Sequence, residues 1–186
     1  STAALANFSD TQLGALTTAQ VQGLTTTQLN TLGTAQLNDL DVTKLSTTQV
    51  KGLNTTAIGN LSTTQGQSLT AAQIGVLDTT GLHALASDEV QAWGTAQLAA
   101  LSSKQLSGLA TSDLAKFADS QLTGLSSTQV RGLTATQLNT LGSTQMAALN
   151  LANLSTAQIG SLNASGAALL SSTQAQGLNA TQIGVL

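Results

Sequence analysis

One histidine and eight carboxylates are the side chains of this 186-residue sequence that could support acid–base or metal chemistry. His83 has neither a second histidine nor a cysteine to join it in a metal site or a nucleophile–base pair. Asp88 and Glu89 are adjacent, but they lack the Gly- and Asp-rich spacing of Ca²⁺-binding loops. We therefore predict no catalytic, cofactor-binding or metal-binding residue, and we expect His83 to lie on the solvated surface.

The overall composition is that of a scaffold. Charged residues make up 7% of the chain, against about a quarter in a typical globular domain. The net charge of -3 includes no basic cluster, and cysteine is absent, so we expect no nucleic-acid partner and no thiol chemistry. No apolar run approaches the roughly 20 residues that a membrane-spanning helix needs. We predict that the protein is not an enzyme and has no membrane span.

A large apolar residue recurs every eight positions along the whole chain. Twenty-two octads and two five-residue inserts, at 41–45 and 150–154, account for all 186 residues. Read from its first residue, the octad is [S/T/N/G]-[T/S/A]-x-Q-[L/V/I]-x-x-L, and position four is Gln in 16 octads. Phe8, Trp93 and Phe117 share position eight with the leucines, so we predict that they pack in the core. Residues 1–186 are predicted to form a single repeat domain.

A longer repeat lies on top of the octads. Residues 1–77 align without gaps on residues 110–186 and are identical at 40 of 77 positions, which places the two inserts opposite each other. The longer unit, or super-repeat, is therefore 109 residues. Such periodicity is typical of solenoids, in which each repeat contacts only its neighbours.

The spacing within the octad favours a helix. Positions five and eight stand three apart, which puts them on one face of a helix but on opposite faces of a strand. Ser, Thr or Asn at position one with Gln at position four predicts a capping box at a helix start. Eight residues advance the helix angle by about 80° beyond two full turns, so one long helix would lose its leucine stripe.

We therefore predict an all-α repeat solenoid of short helical octapeptide units, about five to seven residues each, forming a thin superhelix. Glycines at positions six and seven, such as Gly52 and Gly132, are expected to permit close approach and left-handed corners. The alternative is a β-solenoid with glutamine ladders, which the Thr, Val, Asn and Gln content would also suit.

Three local patterns carry further expectations. The inserts lack Gln but keep a final leucine, Leu45 or Leu154, so each should lengthen a segment or add a bent corner while that leucine stays in the core. Ser87 to Val90 is predicted to start a helix, with the acidic side chains of Asp88 and Glu89 near the positive end of the helix dipole. The Asn-x-Ser/Thr matches, for example at Asn54 and Asn179, are expected by chance in so Thr- and Ser-rich a chain.

The regular Thr and Ser residues at positions one and two support an alternative function. An array of hydroxyls at constant spacing could recognise a repetitive ligand such as a glycan, ice or a mineral surface. Helix capping explains many of the same residues. The array is also interrupted at position two by six residues: Ala71, Ala135, Ala164, Ala180, Asp10 and Asp119.

The segment Leu-Ser-Thr-Thr-Gln-Val-x-x-Leu runs from Leu45 to Leu53, with a near-copy from Leu125 to Leu133. It resembles the Thr/Gln-rich short repeats of very large secreted or surface, adhesin-like proteins of proteobacteria. The resemblance covers all 22 octads. It implies an extracellular or cell-surface structural protein that forms a stalk, fibre or filament of a bacterial adhesin or matrix, through self-association or through continuation of the same array.

Overall fold

The computed structural model describes residues 2–5 and 7–186, and within them it contains short helices and no strand. The predicted all-α repeat solenoid is therefore confirmed, and the β-solenoid is not the fold. One α-helix of four to six residues lies in each octad, and each insert holds a three-residue 3₁₀ helix. The α-helices are α1 Thr2–Leu5, α2 Asp10–Gly14, α3 Thr18–Gln22, α4 Thr26–Leu29, α5 Thr34–Asn38, α6 Thr47–Lys51, α7 Thr55–Gly59, α8 Thr63–Ser68, α9 Ala71–Ile74, α10 Thr79–Ala84, α11 Ser87–Gln91, α12 Thr95–Ala99, α13 Ser103–Gly108, α14 Thr111–Leu114, α15 Asp119–Thr123, α16 Ser127–Arg131, α17 Ala135–Thr140, α18 Ser143–Ala148, α19 Thr156–Gly160, α20 Ala164–Ala168, α21 Ser172–Gly177 and α22 Ala180–Ile183; the 3₁₀ helices are η1 Val42–Lys44 and η2 Leu151–Asn153.

The predicted capping box starts most of these helices. At α6 the Ser46 Oγ accepts a hydrogen bond from the Gln49 backbone N–H at 3.2 Å, and the Gln49 Oε1 accepts one from the Ser46 N–H at 2.9 Å. These two bonds satisfy donors that a helix start otherwise leaves unpaired. Ser87–Gln91 also begins as expected, with Asp88 and Glu89 in its first turn.

The corners between helices do not use left-handed backbone, so that part of the glycine prediction is wrong. No residue in the described part of the chain has a positive φ, glycines included. The leucine at position eight and the first residue of the next octad are both extended instead, as at Leu109 (φ -66°, ψ 141°) and Ala110 (φ -63°, ψ 155°). Two consecutive extended residues redirect the chain in a conformation that any residue adopts.

Glycines at position seven allow one turn of the coil to approach the preceding turn closely. A Cβ added to Gly52 would lie 2.5 Å from Thr26 Cγ2, and one added to Gly132 would lie 2.7 Å from both the Cβ and the carbonyl oxygen of Ser103. Thr26 and Ser103 occupy position two, three elements earlier along the chain. These glycines therefore let successive turns of the coil touch.

Helices stack on every third element, so three elements make one turn of the coil. The chain divides into two compact units, residues 1–93 and 94–186. Within the first unit, α7 contacts α10 and α8 contacts α11; within the second, α13 contacts α16 and α15 contacts α18. The same three-element turn thus builds each unit.

Each insert takes the place of a whole octad in its turn. The 3₁₀ helix η1 contacts α3 and α8, and η2 contacts α16 and α21, which are the third elements on either side. Their first residues, Asp41 and Asn150, have ψ of 99° and 97°, against 159° at the N-cap of α2. The insert therefore adds a short corner with its own helix, and Leu45 and Leu154 stay buried.

The leucine stripe forms the core in both units. Trp93 and Phe117 are buried, as predicted for aromatic residues at position eight. Phe8 is 39% exposed, so the prediction that it packs in the core is wrong. Position eight of one element packs against the turn before it, and Phe8 belongs to the first turn, on whose outer side no described residue lies.

Candidate functional site

The residues that could do acid–base chemistry are not gathered into a site. His83 lies exposed in α10, and Asp88 lies exposed at the start of α11. Glu89 is buried, and its Oε2 accepts a hydrogen bond from the Ala86 N–H at 2.6 Å, which is a helix-capping role. Across the described residues, no three His, Asp or Glu side chains lie close enough together to hold a metal ion.

Asp113 is the other buried carboxylate at position four of an octad. Its Oδ1 lies 3.0 Å from the Lys116 Nζ, three residues later in the same octad. This ion pair offsets part of the cost of burying the charge. It stands where most octads have glutamine, so we assign it to the structure of the repeat.

The glutamines at position four have a second role that the octad pattern did not reveal. In the glutamines named below, Oε1 closes the capping box, while Nε2 donates to two carbonyl oxygens of the element four places earlier, at positions five and eight of an octad or at the second and fifth residues of an insert. Within each unit, this pair of bonds joins one turn to the preceding one. It is made by Gln49 to Val21 and Leu24, Gln65 to Leu37 and Leu40, Gln73 to Val42 and Leu45, Gln129 to Leu98 and Leu101, Gln137 to Leu106 and Leu109, Gln158 to Val130 and Leu133, Gln174 to Met146 and Leu149, and Gln182 to Leu151 and Leu154.

Gln49 shows how fully one buried amide is used. Its Oε1 accepts from the Ser46 N–H and from the Ser46 hydroxyl, at 2.9 and 3.1 Å, while its Nε2 donates to Val21 and Leu24 at 2.8 and 2.7 Å. All four hydrogen-bonding positions of the side chain are occupied. This network also fixes the orientation of the amide, because a flipped amide would direct its oxygen at two carbonyl oxygens.

Asparagine provides a link between turns beside two octads that lack glutamine. Ala57 and Gly166 occupy position four of their octads. The Asn30 Oδ1 accepts from the Asn54 N–H at 2.9 Å, and its Nδ2 donates to the Gly52 carbonyl at 2.9 Å. The same arrangement recurs 109 residues later, where Asn139 bonds Asn163 and Ser161 at 2.8 and 2.9 Å. Asn30 and Asn139 stand 109 residues apart, which is the length of the super-repeat. This spacing was the sequence signal that could have revealed their shared role.

Lys44 makes the corresponding link from the first insert. Its Nζ donates to the Leu16 carbonyl at 2.9 Å, and Leu16 occupies position eight of the element four places earlier. Its Nζ also lies 3.6 Å from Asp41 Oδ2. Asn54 and Asn179, which begin two of the Asn-x-Ser/Thr matches expected by chance, have structural uses, because their side chains cap α7 and α22.

The outer side of the first turn carries unused hydrogen-bond donors. Gln12, Gln20 and Gln28 close their capping boxes through Oε1, at 2.9, 2.8 and 2.8 Å. Within the part of the chain that the structure describes, their Nε2 atoms have no acceptor. Beside them lies a hollow of about 380 Å³, lined in part by Phe8 and Leu24. We call this surface the first-turn face: Phe8, Gln12, Leu16, Gln20, Leu24 and Gln28.

The outer side of the last turn carries carbonyl oxygens that no glutamine side chain reaches. Carbonyl oxygens at positions five and eight of octads 20 to 22 receive no glutamine Nε2 from any described residue. Ile183, Val185 and Leu186 are exposed by 50%, 43% and 54%. We call residues 163–186 the last-turn face. Its apolar side chains and carbonyl oxygens occupy the octad positions that leucines and glutamines cover elsewhere in the same unit.

One pair of residues shows how successive turns match in size. Position five is aliphatic in most octads, but it is glycine at Gly66. The Trp93 Nε1, at position eight three elements later, donates to the Gly66 carbonyl at 3.1 Å, while the Glu89 carboxyl group of the same octad as Trp93 would lie 2.5 Å from a Cβ added to Gly66. Glycine at this position five therefore makes room for the buried Glu89 of the next turn.

Two segments of the chain, residues 1–26 and 74–111, match the model of the ALTTAQ repeat family. The letters of that name stand in this chain from Ala15 to Gln20, spanning the end of one octad and the start of the next. The similarity supports a repeat protein of this type. No curated protein and no solved structure matches the chain. None of the described helices is both long enough and apolar enough to cross a membrane.

Proposed function

We propose that the chain is a structural, non-enzymatic repeat protein that forms part of an extracellular stalk, fibre or filament of a bacterial surface adhesin or matrix. The observation that carries this proposal is the repeated glutamine link. In both units, glutamines such as Gln49 and Gln137 join their turn to the preceding one through the same two carbonyl positions.

A link of this kind suits a load-bearing rod. Inside each unit, successive turns bury leucines against each other and are joined by amide hydrogen bonds whose geometry repeats. Stability of such an array grows with the number of turns, because each turn contributes its own interface. The array can therefore be lengthened by adding turns without redesigning any of them.

The extracellular bacterial setting is supported by the sequence resemblance seen at Leu45 to Leu53. The surface chemistry is compatible with that setting, because the chain has few charges and no cysteine. Neither property requires a reducing compartment or a charged partner.

Electron microscopy of the complete natural protein, purified from its source, tests the structural role. We expect unbranched rods or fibres, and we expect protease added to intact cells to remove the protein from their surface. Compact, monodisperse particles would contradict the structural role. Complete protection from protease in intact cells, with cleavage after lysis, would contradict the surface location.

A second candidate function rests on the exposure of position two. Thr18, Thr47, Thr55, Thr63 and Thr95 are exposed on the sides of their units, where a regular ligand such as a glycan or a mineral surface could contact them. Replacing four of these threonines with alanine, as Ala71 and Ala135 already stand at position two, should leave the fold intact. Loss of binding to a glycan array or to hydroxyapatite in that variant would favour the binding role over a purely structural one.

A further inference from the structure

We propose, building on the second candidate function above, that a groove beside the second insert binds a carboxylate-bearing sugar of an acidic polysaccharide. Arg131 holds the carboxylate, and neutral side chains along the groove contact the sugar hydroxyls. The proposal adds a defined site and a class of ligand to the glycan-binding role.

The groove lies where the second insert shortens one turn of its unit. It has a volume of about 630 Å³, within the range of about 300–1,000 Å³ that is typical of small-molecule sites. Three successive turns line it, through Arg131 of α16, Ala152 and Leu154 of the insert, Thr156 of α19 and Thr181 of α22. The insert has five residues where an octad has eight, so its turn leaves space that a ligand can fill.

The groove belongs to the side of the coil. Thr156 and Thr181 occupy positions two and three of their octads. The same two positions are exposed in the middle of the unit, at Ser127 and Thr128. A ligand therefore reaches the groove from the side, as it would reach these positions in any other turn.

Arg131 has more hydrogen-bond donors than its link between turns needs. Its Nε donates to the Asn153 carbonyl at 3.2 Å. One super-repeat earlier, the Gln22 Nε2 makes the same bond to the Lys44 carbonyl at 3.3 Å, so a glutamine is sufficient for this link. A guanidinium has five N–H groups, and the other four of Arg131 have no acceptor among the described residues. These four N–H groups are free to bind a ligand.

The positive charge of Arg131 also lacks a counter-charge from the protein. No described carboxylate forms an ion pair with its guanidinium, and no charged residue occurs from Gly132 to Leu186. A guanidinium binds a carboxylate through two parallel hydrogen bonds, which is its strongest geometry. One unpaired arginine matches the single charge of a carboxylate better than the nearly double charge of a phosphate monoester.

The other polar groups of the groove are neutral. The hydroxyls of Thr156 and Thr181 and the Nδ2 of Asn179 make no hydrogen bond to any described residue. Ala152 adds apolar surface beside them. Hydroxyl, amide and apolar groups around one cation suit a uronic acid, which presents several hydroxyls, a C–H face and one carboxylate. These side chains, and not the ends of the short helices, provide the contacts.

Titration of the 186-residue chain with trigalacturonate and with trimannuronate, followed by nuclear magnetic resonance, tests the site. We expect the Nε–H signal of Arg131 and the amide signals of Thr156 and Thr181 to shift on binding. Arg131→Gln should weaken binding about tenfold or more, because a charged pair of hydrogen bonds is lost. Its circular dichroism should match the parent, since Gln22 makes the same link. Galactotriose, which has no carboxylate, should bind the parent about tenfold more weakly than trigalacturonate.

A second variant and two controls separate the groove from general effects. Thr181→Ala should weaken binding about threefold, and Ala72 at the equivalent position one super-repeat earlier shows that the fold accepts alanine there. Thr136→Ala lies at the same octad position, exposed and outside the groove, and should bind like the parent. Lys104→Gln removes one positive charge from another exposed site of the same unit and should also bind like the parent.

Three results would overturn the proposal. They are no binding of either acidic trisaccharide, unchanged binding in Arg131→Gln, and binding of inorganic phosphate as tight as that of trigalacturonate. None of them contradicts the second candidate function, because the position-two threonine variant tests that function separately on a glycan array. The structural role also stands in each case, since it depends on the links between turns and not on the groove.

Discussion

The Nε2 of Gln137 lies 2.7 Å from the carbonyl oxygen of Leu106, 31 residues earlier in the chain, and 2.8 Å from that of Leu109. The Oε1 of the same amide accepts from the Thr134 N–H at 2.8 Å. A single side chain therefore starts its own helix and holds it to the preceding turn. This double role explains why glutamine, and no residue with only an acceptor or only a donor, prevails at position four.

The glutamine links are essential to stability inside the array. We expect Gln137→Glu to lower the free energy of unfolding by about 3 kcal/mol or more, because a carboxylate that is 2% exposed would face two carbonyl oxygens without a donor. Urea titration followed by circular dichroism measures the change.

Gln20→Glu is the matched control for that substitution. Gln20 has the same capping box but lies exposed on the first-turn face. Its replacement should change the free energy of unfolding by less than about 0.5 kcal/mol. Equal losses in the two variants would mean that capping alone explains position four.

Glycine at position seven is required only where two turns touch. Gly132→Ala should destabilise the chain by about 1–3 kcal/mol, since its Cβ would lie 2.7 Å from the Ser103 carbonyl oxygen. Gly177 occupies the same octad position, but nothing lies within 4 Å of a Cβ added there. Gly177→Ala should therefore leave the stability unchanged or raise it by up to about 1 kcal/mol. The melting temperatures of the two variants measure this difference in stability. Similar shifts in melting temperature would mean that contact between turns does not determine the effect of alanine at position seven.

Asn139 is predicted to replace a missing glutamine. Asn139→Ala should cost about 1–2 kcal/mol, because the Asn163 N–H and the Ser161 carbonyl lose their partner. Asn38→Ala, at the same octad position but exposed, should have almost no effect on the urea midpoint. If both variants unfolded at the parent midpoint, the asparagine link would contribute nothing.

Two aspartates should respond to pH in opposite directions. Burial, and then the neighbouring Asp10 carboxylate, raises the pKa of Asp39, whose Oδ2 has no partner among the described residues. Its ionised form therefore opposes folding above that raised pKa, and the penalty disappears as pH falls through it. Asp39→Asn should raise the melting temperature at pH 7, and this gain should vanish below about pH 4.

Asp78 provides the contrast. The Thr80 hydroxyl, and then the Gly81 N–H, lower its pKa, so it stabilises the fold at neutral pH and loses that contribution as pH falls below about 4. Asp78→Asn keeps a capping oxygen, as Asn54 does at α7, and should reduce acid sensitivity without a gain at pH 7. A gain at neutral pH in Asp78→Asn, or none in Asp39→Asn, would contradict these assignments.

The octad predicted the helices, their caps and the core leucines, because those features depend on spacings of three and four residues. It did not predict three elements per turn, since that number follows from the angle at each corner, which two extended residues set. The second bond of Gln49 and the replacement role of Asn30 were missed for the same reason. Both join residues 22 to 28 positions apart, and only the coil brings such residues together. Phe8 was misplaced because its burial depends on a neighbouring turn and not on its own octad.

Nuclear magnetic resonance of the uniformly labelled chain tests the stacking of turns most directly. Scalar coupling across a hydrogen bond from the Gln137 Nε2 to the carbonyl carbons of Leu106 and Leu109 is predicted, with slow exchange of the Gln137 side-chain amide protons. In dilute solution the Gln20 amide should exchange rapidly and show no such coupling. Rapid exchange at Gln137, without coupling to either leucine, would contradict the glutamine link and the packing of successive turns that brings these residues together.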